Sequence, residues 1–188
     1  MRIIAGKHKG RNIVLPPKTE VRPTTSKTRE GIFNILNSGQ FLKGGISILY
    51  KARVLELFCG SGALSFEALS RGAEYAIMVD NNQENLNYIA LNAEKLSEFN
   101  NISVIRGDAS FLPKAHNSMD IVFIDPPYNN SNTIETVLER LRQQNWLKEN
   151  TIIVIESFFR EDLKMPTGYF QINQRNYGKT KVTLLGVE

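Results

Sequence analysis

The chain has 188 residues, enough for one domain or for one domain with an extension, and 41% hydrophobic residues let it bury a proper core. Its aliphatic stretches are far too short to span a bilayer, and Met1-Arg2 leads into a basic segment rather than an apolar signal pattern. A lone cysteine, Cys59, excludes an intramolecular disulfide and fits a reducing cytoplasm, while His8 and His116 form no metal-ligand pattern. The net charge of +4 hides an asymmetry. Residues 1–53 hold eleven Lys/Arg against Glu20 and Glu30, a net of +9, whereas residues 54–188 carry a net of −5. A concentrated basic end suits phosphate contacts, with a solvated surface as the plainer alternative.

In chain order, Arg2-Ile3-Ile4-Ala5 and Arg11-Asn12-Ile13-Val14-Leu15 read as two short strands. The loop between them, Gly6-Lys7-His8-Lys9-Gly10, carries Lys7 and Lys9. Together with Arg11 these are candidate phosphate contacts. His8 could stack on a nucleic acid, but an exposed His8 without a role is the simpler expectation. Arg22-Pro23-Thr24-Thr25 is extended, and Thr25 or Ser26 can cap a helix over about Lys27 to Leu36. Gly39, Gly44 and Gly45 mark a loose connection, which suggests an extension over residues 1–50 and a main domain over residues 51–188.

From there strand and helix alternate, which implies a mostly parallel, doubly wound α/β sheet. Val54-Leu55-Glu56-Leu57-Phe58 is a strand, Cys59-Gly60-Ser61-Gly62 a tight turn, and Ala63 to Arg71 a helix with Leu64, Ala68 and Leu69 on its apolar side. Tyr75 to Val79 is a strand ending in Asp80, followed by a helix from Asn82 to Leu96. Ile102 to Arg106 is a strand ending in Gly107-Asp108-Ala109. Ile121-Val122-Phe123-Ile124 is a buried strand ending in Asp125-Pro126-Pro127-Tyr128. A helix over Thr133 to Arg142 and a strand over Thr151 to Glu156 follow. Tyr169 to Asn173 and Lys181 to Leu185 can pair antiparallel at the end of the sheet.

Three strands thus end in acidic or glycine-rich edges on one rim, where open α/β sheets bind ligands. Asp125 offers a carboxylate that only accepts hydrogen bonds, the prolines remove two N–H donors, and Tyr128 offers a flat ring. Acceptors beside a stacking ring suit a planar base with an exocyclic NH2. Gly60 and Gly62 permit close approach to the backbone, and Asp80 stands at the spacing that binds ribose hydroxyls. Each residue also has a plain structural reading: a tight turn for the glycines, a buried polar group for Glu56, helix caps for Asp80, Asp108, Arg22, Thr24 and Thr25. A catalytic role for Cys59 has no histidine near it in sequence to support it.

The motif set Glu56-Leu57-Phe58-Cys59-Gly60-Ser61-Gly62, Asp80, Asp108 and Asp125-Pro126-Pro127-Tyr128 resembles that of class I S-adenosylmethionine-dependent methyltransferases acting on amino groups. Met1-Arg2-Ile3-Ile4-Ala5-Gly6-Lys7, Arg22-Pro23-Thr24-Thr25 and Arg29-Glu30-Gly31-Ile32-Phe33-Asn34 resemble the RsmD family, the 16S rRNA (guanine(966)-N2)-methyltransferases. Leu64, Glu67 to Ala73 and Tyr177-Gly178 fit the same pattern, so the likeness covers nearly the whole chain. Cys59, Ser65, Ser26 and Asp80 depart from it, replacing alanine, glycine, aspartate and glutamate. The resemblance implies a Rossmann-like domain in the cytoplasm that binds S-adenosylmethionine through Arg22, Thr24, Thr25, Glu56, Phe58, Cys59, Gly60, Ser61, Gly62, Asp80, Asn81, Asp108 and Ala109. It implies catalysis by Asp125, Pro126, Pro127 and Tyr128 without a metal, and 16S rRNA in the small ribosomal subunit as partner through Lys7, His8, Lys9 and Arg11. A DNA adenine-N6 methyltransferase, a protein glutamine-N5 methyltransferase, a non-catalytic ribosome-assembly factor and a nicotinamide oxidoreductase are the competing readings.

Overall fold

The computed structural model describes residues 1–16, 25–127 and 131–188. Helix α1 is Ser26–Leu36, with Thr25 Oγ1 accepting from Thr28 N–H at 3.1 Å as its N-cap. A small hairpin of β1 (Leu42–Lys43) and β2 (Ile46–Ser47) takes up the glycine-bearing connection. The main sheet then begins with β3 (Arg53–Leu57), followed by α2 (Ala63–Ser70), β4 (Tyr75–Asp80), α3 (Gln83–Leu96) and β5 (Ile102–Arg106). After these come β6 (Ile121–Ile124), α4 (Ser131–Gln143), β7 (Ile152–Phe158), β8 (Tyr169–Tyr177) and β9 (Thr180–Val187).

The seven strands run in the order β5-β4-β3-β6-β7-β9-β8. Strands β5 through β7 are parallel, and β9 and β8 close that edge antiparallel. The order reverses direction between β3 and β6, which makes their carboxyl ends the switch point where such sheets bind ligands. Two apolar layers hold the sheet. Ile32, Phe33, Phe66, Ile89, Phe123 and Val154 pack beneath α1, α2 and α3 on one face. Leu55, Val122, Ile153, Val137, Leu141 and Trp146 pack with α4 on the other. Trp146 ends that layer, its indole N–H donating to the Pro113 carbonyl at 2.8 Å.

Helix α2 and the N-terminal strands differ from their sequence reading. Helix α2 has no exposed side, since all eight of its residues are buried. Its polar positions are covered by residues 1–8, whose docking is non-local and leaves no mark on the helix's own periodicity. The two expected N-terminal strands reduce to a single antiparallel bridge, Arg2 to Asn12, flanked by backbone bonds such as Ile3 N–H to Arg11 C=O at 3.0 Å. That ribbon is held by side chains instead. Glu67, fully buried, accepts from the N–H groups of Ile4 (2.8 Å) and Ala5 (3.0 Å) and from Arg71 Nε (2.8 Å). Arg29, also fully buried, lies 3.7 Å from Glu67 through Nε and donates to the Arg2 carbonyl at 2.6 Å. Asn92 exchanges two bonds with Val14, at 2.8 and 2.9 Å.

Candidate active site

Strand register sets the site. Leu57 pairs with Val79 on one side and Ile124 on the other, so Phe58, Asp80 and Asp125 emerge together at one rim. The sequence places Phe58 at the end of the strand; β3 instead ends at Leu57, and Phe58 takes a left-handed backbone with φ 57°. A bulky residue there is a strained conformation of the sort found at functional turns. Gly60 and Gly62 follow with φ 52° and 73°. A Cβ on Gly60 would meet nothing within 4 Å, so the turn opens onto free space at the rim. On Gly62 it would strike Met78 Sδ at 2.8 Å, so this glycine serves packing as well as conformation.

Two carboxylates shape the turn. Glu56 is 4% exposed, and its oxygens accept from the N–H groups of Ser65 (2.8 Å) and Leu64 (3.3 Å) in the first turn of α2. Burial pushes its acid up to about 7 against the pull of those bonds, and the charge of Asp125 adds to the rise. Asp80 accepts from Gly60 N–H at 2.8 Å, Asn82 N–H at 2.9 Å and Asn85 Nδ2 at 3.1 Å. Of roughly four acceptor positions on a carboxylate, three are therefore taken, leaving room for one more donor. Asp80 thus holds the glycine turn and the start of α3 together, and Asn81 beside it is exposed.

Farther along the rim, Asp108 accepts from Ser110 N–H at 2.8 Å and is exposed, with Ala109 buried behind it. Gly107 N–H donates to the Asp80 carbonyl at 3.1 Å, tying the two strand ends. Asp125 is half-buried, Pro126 buried and Pro127 exposed. Ser61 lies buried in the turn. Cys59 is 5% exposed; burial pushes its thiol well above the ordinary value, with Glu56 and Asp80 adding to the rise, so it stays protonated and inert. Arg22, Thr24 and Tyr128 lie outside the described residues.

The basic loop sits elsewhere. Lys7 N–H donates to the Ser70 carbonyl at 2.8 Å and His8 N–H to Ser70 Oγ at 2.9 Å, at the carboxyl end of α2. That end lies at the amino-terminal edge of the sheet, away from Asp125. His8 is buried, correcting the expectation of an exposed ring: its Nε2 lies 2.6 Å from Glu98 Oε1. Glu98 is itself buried and gathers Lys7 Nζ at 2.7 Å and Asn101 Nδ2 at 2.6 Å as well, which is why it draws the imidazole inward. Arg11 donates to the Lys95 carbonyl at the end of α3, and Lys9 is exposed. Glu98 stands about 90 positions from His8, so no local pattern could have announced the pair.

A family model described as "Conserved hypothetical protein 95" matches residues 1–186. The ribosomal RNA small subunit methyltransferase D of Escherichia coli (strain K12) is 32% identical over 157 residues, covering 84% of this chain and 74% of that protein. The chain belongs to the RsmD family of methyltransferases. The uncharacterized methylase RP545 of Rickettsia prowazekii is 31% identical over 98% of this chain and 97% of its own length. The solved structure of yhhF from Escherichia coli matches with a TM-score of 0.84 at 29% identity, over 100% of this chain and 98% of that one. Two departures from the RsmD family pattern are accommodated by the geometry. Ser65 keeps the backbone N–H that Glu56 accepts and tucks its hydroxyl into the buried face of α2, and Cys59 acts as a small buried apolar group.

Proposed function

We propose that this methyltransferase moves a methyl group from S-adenosylmethionine to the exocyclic N2 amine of a guanine in 16S rRNA. Its place of action would be the cytoplasm, on the small ribosomal subunit or its precursor. The observation that carries the reading is Asp125-Pro126 standing at the carboxyl end of β6, beside the open turn at Gly60 and the carboxylate of Glu56. The relatives named as small-subunit rRNA methyltransferases support the substrate class.

The residues fit the cofactor: an unfilled space above Gly60, acceptors on both sides of it, and a remaining acceptor position on Asp80. Glu56, Phe58, Cys59, Gly60, Ser61 and Gly62 would hold its methionine end, Asp80 and Asn81 its ribose, Asp108 and Ala109 its adenine, and Arg22, Thr24 and Thr25 would border the cleft. When bound, the cofactor supplies a methyl on a positively charged sulfur. Glu56, neutral or charged near pH 7, would become fully ionised opposite a cationic ligand.

The guanine amine is a poor nucleophile because its lone pair is conjugated with the ring. The Asp125 carboxylate and the Pro126 carbonyl would accept hydrogen bonds from its two N–H groups and turn the lone pair toward the methyl carbon. Orientation of this kind is worth roughly 7–11 kcal/mol of barrier. Positive charge growing on nitrogen is favoured by those acceptors and would be discharged as one amine proton passes to Asp125 or water, with the sulfur departing as a neutral thioether. Pro127 fixes the chain and Tyr128 would stack on the base, which leaves its own stack at a cost of roughly a few kcal/mol. Lys9, Lys7 and Arg11 would touch phosphates of the same RNA where it passes the far edge of the sheet.

Labelled S-adenosylmethionine offered with unmethylated small subunits, free 16S rRNA or duplex DNA tests the reading. Label in N2-methylguanosine from subunits or rRNA is the expected result. Label in DNA adenine, or none in any nucleic acid, would overturn it.

A further inference from the structure

A groove of about 500 Å³ runs between α1 and the edge strand β8, lined by Lys27, Glu30, Asn34, Asn173, Arg175 and Tyr177 among others. No part of the proposed chemistry uses it. Its position follows from register. Tyr177 pairs with Thr180, which pairs with Phe158 at the carboxyl end of β7. Arg175 pairs with Val182, and Val182 with Glu156, the residue one past Ile155, which pairs with Ile124. Arg175 therefore stands level with Asp125, three strand spacings away, or about 14 Å. The groove opens at the catalytic rim and descends toward Ser38 and Gln40.

Its chemistry is that of a single-strand binder. Lys27 and Arg175 are exposed, Lys179 stands exposed in the β8–β9 turn, and Glu30 is the one acid lining the groove among the described residues. Tyr177 brings an aromatic ring, seated where the absence of a side chain on Gly31 makes room. Asn34 and Asn173 offer amides that both donate and accept. Cations that track a backbone, with a ring among them, are what sequence-tolerant binding of unpaired nucleotides requires. The basic loop cannot supply this near the rim, because it is docked at the opposite edge of the sheet.

We propose that the α1–β8 groove binds the single-stranded RNA flanking the target nucleotide, through Lys27 and Arg175 on phosphates and Tyr177 against a base. The inference rests on RNA as substrate. Arg175→Glu and Lys27→Glu reverse exposed charges and leave the core untouched; Lys114→Glu, exposed near the end of α4, makes the same change elsewhere. Binding of a short fluorescein-labelled single-stranded RNA is read by anisotropy across a salt series, with cofactor affinity and melting temperature as controls. Each groove variant should weaken RNA binding about tenfold and flatten the salt dependence by about one counterion, while Lys114→Glu stays within twofold. RNA affinity unchanged by both groove variants, lost equally in Lys114→Glu, or absent in the wild type would overturn the proposal. Methyl transfer to small subunits and 16S rRNA by the same protein preparations reports separately on the function: RNA bound through the groove without transfer to either substrate would leave the groove standing and remove the proposed reaction.

Discussion

Glu56 carries an acid whose ordinary value of 4.5 is raised to about 7 by burial, so the folded chain binds its proton more tightly than the unfolded chain does. Its contribution to stability is full below about pH 4.5 and is lost as pH rises through about 7, an amount near 3 kcal/mol. Urea melts should therefore show the wild type losing stability across that window relative to Glu56→Gln, and parallel curves would contradict the buried-acid account. Glu98 has the opposite sign. Burial raises its acid, but the bonds from Lys7, Asn101 and His8 outweigh burial and hold it below the ordinary value. Its stabilisation is present above about pH 4.5 and lost as pH falls through the lowered value. The difference between these two residues marks what the sequence can and cannot show. Glu56 and Gly60 belong to a strand and turn with a recognisable order of residues, and Asp80 and Asp125 stand at the ends of recognisable strands. The Glu98 cluster is assembled from residues 7, 8, 98 and 101, a contact between chain segments with no local periodicity to reveal it.

Helix α1 shows the same limit one scale up. Its span and its cap follow from Thr25 and the spacing of Ile32, Phe33 and Leu36, and the helix begins and ends within a residue of expectation. The role of Gly31 does not follow from spacing. Glycine inside a helix ordinarily costs about 1 kcal/mol relative to alanine. Here an added Cβ would come 2.3 Å from the Tyr177 ring. Gly31→Ala should therefore destabilise by about 1–3 kcal/mol despite its better helix propensity, with the near-ultraviolet signal of the tyrosine altered. A more stable Gly31→Ala protein would show that Tyr177 does not hold this seat. The strand pattern is legible for β3, β4, β6 and β7 because buried parallel strands appear as apolar runs, and for the edge strand β5 from its β-branched Ile102, Val104 and Ile105. Strand β8 runs four residues past the apolar-patterned stretch Tyr169 to Asn173 because its exposed edge carries Gln174, Arg175 and Asn176 there.

Across the whole molecule, the N-terminal ribbon is joined to the sheet through two buried charged groups, Glu67 with Arg29 and Glu98 with Lys7 and His8. Arg29, whose guanidinium is pushed below its ordinary value by burial, depends on Glu67 for compensation, and Glu67 also holds the backbone of Ile4 and Ala5. Removing one partner of a buried pair costs about 3–5 kcal/mol, because the other is left uncompensated. Glu67→Ala should lose that much in denaturant unfolding and should free the first residues to proteolysis. A loss under about 1 kcal/mol would mean that the buried apolar residues Ile3 and Ile13 and the bonds to Ser70, Asn92 and Glu98 hold the ribbon without Glu67.

The sheet order, the open glycine turn and the placement of Asp125 support the central proposal, that a guanine amine is methylated at this rim with Asp125 accepting its hydrogen bond. The most direct test is nucleoside mass analysis of 16S rRNA from small subunits incubated with S-adenosylmethionine and either wild-type protein or Asp125→Ala. The account predicts N2-methylguanosine with the wild type and a rate lower by roughly 10²–10³ with the variant, at unchanged cofactor affinity. No N2-methylguanosine with the wild type, or an undiminished rate with Asp125→Ala, would contradict it.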